Sequence, residues 1–121
     1  MRKIAAVAVV SSTLTLLAVW AAGWGPLPSK VKLDNERVRV TEVTAPPGAP
    51  RERHIRQSDQ VIVFLDDCRY ERTNSETGAK SVQERKSGDV IFHHKGEDAP
   101  QLINLGSKPY RTLLIELKGT E

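Results

Sequence analysis

The sequence predicts an all-β domain, a barrel or sandwich of short strands, carried behind an N-terminal apolar segment. Three observations predict it. Beyond Lys30, apolar residues alternate with polar ones, as at Val38 and Val40 and at Val61, Val63 and Leu65, a period of two rather than 3.6. Clusters of turn-forming residues separate these runs, and no stretch shows the spacing of a long amphipathic helix. Strands this short close on themselves or pair face to face, because an open sheet would leave long edges unprotected.

Taken in order, the chain starts with a short positive stretch, Met1-Arg2-Lys3, followed by an apolar run from Ile4 to Ala22 broken only by Ser11, Ser12, Thr13 and Thr15. That is the form of an export signal, and at about 19 residues it is also just long enough to span a bilayer as a helix. Ala21 and Ala22, with Val19 two positions before Ala21, suit a cleavage point, whereas Trp20 and Trp24 suit a membrane interface. Cleaved signal and retained anchor helix are both open. Either places the remainder outside the cytoplasm, periplasmic or secreted, with membrane contact only through an uncleaved leader. Residues 1–29 are thus leader and linker, and 30–121 the single domain.

Strands are expected at 31–33, 37–44, 51–56, 61–66, 68–73, 81–86, 89–94, 101–104 and 110–118. Between them stand Asp34-Asn35, Pro46-Pro47-Gly48, Asn74 to Gly78, Ser87-Gly88-Asp89, Lys95-Gly96 and Gly106 to Pro109, all of them turn chemistry. Asp66-Asp67, adjacent carboxylates after an apolar run, read as a hairpin turn rather than an acid-base pair.

With 121 residues there is room for one domain. The formal charge of +3 comes from 18 Lys and Arg against 15 Asp and Glu; without Arg2 and Lys3 of the leader it falls to +1. Basic and acidic residues alternate through most of the chain, so nucleic acid is not an expected partner: a phosphate-tracking surface needs a clustered basic excess. Cys68 is the only cysteine, which excludes an internal disulfide and leaves stability to packing. No Cys-His pairing accompanies it nearby, and it is expected to be a partly buried, inert thiol.

Two stretches about forty residues apart carry a resemblance, Gly48-Ala49-Pro50-Arg51-Glu52-Arg53-His54-Ile55-Arg56 and Gly88-Asp89-Val90-Ile91-Phe92-His93-His94-Lys95-Gly96. Together they resemble the two motifs of the cupin superfamily. Gly48 and His54 match the first motif; Gly88 and Gly96 match the second, with Asn104 one residue late. The ending from Asn104-Leu105-Gly106 through Pro109 and Arg111 to Leu114-Ile115-Glu116-Leu117-Lys118 is similar to that of many small single-domain cupins, so the likeness covers residues 31 to 118. It implies a small jelly-roll β-barrel, and a homodimer paired through sheet edges, for which the sequence itself shows no interface.

The resemblance also implies a divalent metal inside the barrel, held by two His and a Glu of the first motif and a His of the second. Here Arg56 stands at the second His, Gln60 or Val61 at the Glu, and Ala99 or Pro100 at the last His, leaving His54 alone of the four. A cation site needs three or four converging imidazole, carboxylate or thiolate ligands, and a guanidinium at one of the positions repels the cation. His93 and His94 are the available replacements. Adjacent strand residues face opposite ways, so at most one of them enters the barrel.

Strand alternation offers a different site. If His54 faces inward, Glu52 and Arg56 do too, and Arg56 can fork onto a carboxylate or phosphate with His54 and Gln60 as further polar contacts. In the competing arrangement Arg56 pairs with Glu52 or lies exposed. The expected function is an exported, non-catalytic module that binds an anionic small molecule, without a cofactor. The alternative is a metal-dependent oxygenase or isomerase built on His54 with His93 or His94.

Overall fold

The computed structural model describes residues 25–119, so the leader expected at Ile4 to Ala22 lies outside the described residues. The described chain forms β1 (Ser29–Asp34), β2 (Val38–Ala45), β3 (Pro50–Arg51), β4 (His54–Ile55), β5 (Asp59–Phe64), β6 (Cys68–Thr73), β7 (Lys80–Arg85), β8 (Val90–His93), β9 (Asp98–Ala99), β10 (Gln101–Asn104) and β11 (Tyr110–Leu117). They make a five-stranded sheet in the order β1-β2-β11-β5-β8, a four-stranded sheet in the order β3-β10-β6-β7, and the small β4-β9 pair. The expected all-β architecture is present, and each expected strand has a counterpart.

Two departures from the expected strands shape the interior. The strand expected at 51–56 is broken: Arg51 in β3 pairs with Leu102 of β10, whereas His54 in β4 pairs with Ala99 of β9. The chain changes partner strand between them, and on the other side Pro100, which has no N–H to give a ladder, separates β9 from β10. The second departure is the face of β5. Burial follows Gln60, Ile62 and Phe64, while Val61 and Val63 are half-buried on the other side. Residues 61 to 65 are all apolar, so period alone does not say which face is inward.

The core lies between the two larger sheets. Ala45, Ile62, Phe64, Tyr70 and Tyr110 are buried together, with Leu102, Ile91 and Leu114 packed against them. Phe64, Tyr70 and Tyr110 form a triangle of rings with centroids 6.2 to 6.4 Å apart. Asn104, also buried, ties two loops together: its Nδ2 donates to the carbonyls of Ala45 (2.8 Å) and Lys108 (2.9 Å), and its Oδ1 accepts from the Gly106 N–H. Its own carbonyl accepts the Gly48 N–H at 3.0 Å. The role of this motif-matching residue is therefore to fix loops.

Asp66 and Asp67 lie between β5 and β6, but the expected hairpin is not there: the two strands belong to different sheets, and the connection crosses from one to the other. Asp66 takes the backbone N–H and the guanidinium of Arg111, and that pairing holds its carboxyl below the usual range; Asp67 accepts the Ser87 N–H. Cys68 opens β6 half-buried, and burial is the main cause that pushes its thiol up to about 11. At pH 8 its thiolate fraction is then on the order of 100-fold below that of an ordinary thiol. Ellman's reagent at pH 8 should accordingly label the native protein far more slowly than the same protein in guanidinium. Equal rates would show that the fold does not shield Cys68.

Candidate functional site: an arginine-lined cavity

Between the sheets lies a cavity of about 370 Å³. Four arginines line it, Arg51 from β3, Arg56 after β4, Arg72 from β6 and Arg85 from β7, together with His93, Glu97 and Asp98. Its apolar wall is the core itself, with Ile62, Phe64, Tyr70, Leu102 and Tyr110.

Arg56 is held most tightly. Its N–H donates to the Glu97 carbonyl at 3.0 Å and its carbonyl accepts the Gly96 N–H at 2.9 Å, so the turn from His94 to Glu97 grips its backbone from both sides. Gly96 has φ +88°, a conformation that a side chain resists, which gives this motif glycine a structural reason. The Arg56 side chain is only 4% exposed; Nη1 donates to Oε1 of the equally buried Gln60 at 3.1 Å, and Nε has no partner. Arg51 donates from Nη2 to the Pro100 carbonyl, and its Nε is likewise buried without a partner. Burial first, and the neighbouring charge of Arg56 second, push Arg51 down to about 10. It is still a full cation at neutral pH. Arg85 lies over the Phe64 ring, 5.6 Å from its centroid, and donates from Nε to the Tyr70 hydroxyl.

The two acids of the lining have partners of their own. Glu97 accepts from the His94 N–H and lies 3.0 Å from His93 Nδ1, and these two contacts hold its carboxyl below the usual range. Asp98 takes the Ser75 hydroxyl and Arg53. None of the four cavity arginines forms an ion pair among the described residues, whereas the surface arginines Arg39, Arg53 and Arg111 all do. Arg56 is buried, Arg51 and Arg85 are half-buried and Arg72 is exposed, and together they outnumber the two acids of the lining.

The sequence-predicted residues divide. Arg56 lines the cavity, and Gln60 is buried beside it as its hydrogen-bond partner. His54 does not join them: it is exposed, with its ring near the Glu52 carbonyl. The alternation that placed His54 and Arg56 on one face fails because β4 is two residues long and the chain bends after it. Arg56 is also unpaired with Glu52, which is exposed. Of the adjacent histidines His93 enters the cavity, while His94 is exposed and packs its ring edge-on against Phe92.

Arg51, Arg72 and Arg85 were not singled out from the sequence. For Arg72 a signal existed, since Tyr70 is two positions away on the same strand and faces the core. Arg51 could not be found this way: positions 51 and 56 have opposite parity and share an interior only because the strand breaks between them.

Solved structures resemble this arrangement of strands. A cupin domain from Bordetella pertussis Tohama I aligns with 78% of this chain and 95% of its own at 26% identity and a TM-score of 0.69. The fold is that of the cupins. A polyketide cyclase from Streptomyces resistomycificus shares the cupin fold with a TM-score of 0.64 at 17% identity, over 78% of this chain and 67% of its own. An uncharacterized conserved protein with a double-stranded β-helix domain from Klebsiella pneumoniae does so with a TM-score of 0.59 at 19% identity, over 80% and 82%. No family model and no curated protein matches the sequence.

The residues inside this cupin barrel do not fit the metal that the motifs imply. No group of three His, Cys, Asp or Glu side chains converges among the described residues. His54, His93 and His94 face three different surroundings, and the unpaired Arg51 and Arg56 guanidinium groups would oppose a dication in the same interior.

Proposed function

We propose that the domain is a non-catalytic binding module in which the metal pocket of the cupin barrel has been turned to an anionic small molecule, in a protein exported to the periplasm or beyond. The observation that carries this reading is the set of four cavity arginines, with Arg56 buried among them, that form no ion pair among the described residues. Buried guanidinium N–H groups that bond to nothing cost stability, and a carboxylate or phosphate accepts from them in a fork that no neutral ligand matches. The motif positions that would hold a metal carry Arg56 and Gln60 instead, which supports binding rather than metal-dependent catalysis. The leader from Met1 to Ala22 supports export.

The test is thermal melting of the full chain in carboxylates and phosphates at constant ionic strength, with chloride as reference. A bound anion at 100 times its Kd should add about 2.7 kcal/mol of stability. No rise with any anion, together with a rise on adding Mn, Fe, Zn or Ni, would replace this reading by the metal-dependent one. The N-terminal residue of the protein recovered from cells tests the leader: a start near Ala22 means a released product, and Met1 an anchored one.

A further inference from the structure

We infer that the ligand is an organic dianion with an apolar middle, one acidic group held by Arg51 and Arg56 and the other by Arg85; this rests on the anion-binding reading above. The cavity is segregated by chemistry. Strand register places Arg51, Leu102, Arg72 and Ser81 in one row across the four-stranded sheet, and Arg56 joins Arg51 closely enough to lower its pKa by charge. Arg85 belongs to a different row: its backbone stands opposite Cys68, four residues along β6 from Arg72, about 13 Å between Cα positions at the usual strand rise, and its side chain runs back over Phe64 to the Tyr70 hydroxyl. Phe64, Tyr70 and Tyr110 form the wall beside both groups, with the Arg85 guanidinium seated over Phe64.

Charge and size agree with that division. Four arginines against Glu97 and Asp98 leave the lining with more formal positive than negative charge. A volume of about 370 Å³ falls in the range of organic-ligand sites, which begins at roughly 300 Å³, and is more than an inorganic oxyanion needs. Arg85 is held in place by the Phe64 ring and the Tyr70 hydroxyl, contacts that use its Nε and one face of the guanidinium; its terminal nitrogens form no hydrogen bond among the described residues. A group prearranged in this way loses less freedom when it takes a ligand. In the other group the buried, unpartnered Nε atoms of Arg51 and Arg56 are the complementary donors.

Calorimetric titration of the full chain with terephthalate, benzoate and inorganic phosphate separates the two groups from anion binding in general. Terephthalate should bind at least tenfold more tightly than benzoate, and benzoate more tightly than phosphate. Arg85→Met should bring terephthalate to the benzoate level and leave benzoate unchanged. Equal affinities for terephthalate and benzoate in the unmodified protein, a comparison that needs no variant, would overturn the two-group assignment while sparing anion binding. Phosphate binding as tightly as both would remove the role of the aromatic wall. If none of the three binds, the anion-binding reading itself falls, and the dianion with it.

Discussion

The double variant Arg56→Met/Gln60→Leu should melt at a higher temperature than the parent and lose anion binding. Arg56 is a cation at 4% exposure whose only side-chain hydrogen bond among the described residues is to a neutral amide. Removing such a charge from water is costly, and replacing buried charged groups with apolar side chains of similar size is often neutral or stabilising by about 1–4 kcal/mol. Here the gain is increased by relief of Arg51, which sits in the field of Arg56. Gln60 is changed together with it because Arg56→Met alone would strand the buried Oε1, at about 1–3 kcal/mol. For a domain of this size each kcal/mol is worth about 4–8 °C, so a rise of several degrees is expected in buffer without ligand. Chemical denaturation and the anion melting series on the same samples measure both effects. A variant that is less stable than the parent would show that Arg56 is a structural cation, and a variant that still responds to anions would place the ligand elsewhere.

The second large effect is expected from Phe64→Ala, a loss of about 3–5 kcal/mol. Phe64 is buried at the end of β5, stacks between Tyr70 and Tyr110, and supports the Arg85 guanidinium on its face. Truncation removes contacts to both sheets at once, and two further rings cannot collapse into the gap without leaving each other. The melting temperature should fall by at least about 12 °C at about 4 °C per kcal/mol, enough to unfold a marginal domain near body temperature. Urea unfolding monitored by far-ultraviolet circular dichroism gives the value directly; a loss under about 1 kcal/mol would mean that the aromatic triangle is not the main support of the barrel.

These two variants also mark where the sequence is legible. The strands could be read because alternation and turn chemistry are local: Ser87-Gly88-Asp89 and Lys95-Gly96 act through the conformations of their own few residues. Arg56 was singled out from the sequence because the resemblance sets its guanidinium at a motif position, and it does line the cavity. His54 and Arg56 do not share a face, because parity along a strand holds only while the strand continues, and β4 ends at Ile55, before Arg56.

By itself, then, the sequence determined an all-β chain, the place of its turns and the single thiol, all of which are set by residue identity and short-range spacing. Only the tertiary structure decided which face of β5 is inward, that His54 stays outside, and that Arg51, Arg56, Arg72 and Arg85 line one cavity without forming an ion pair among the described residues. Those outcomes depend on which strands pair across the barrel. Such pairings join residues far apart in the chain, as when Leu102 brings Arg51 and Arg72 into one row, and no local period encodes them.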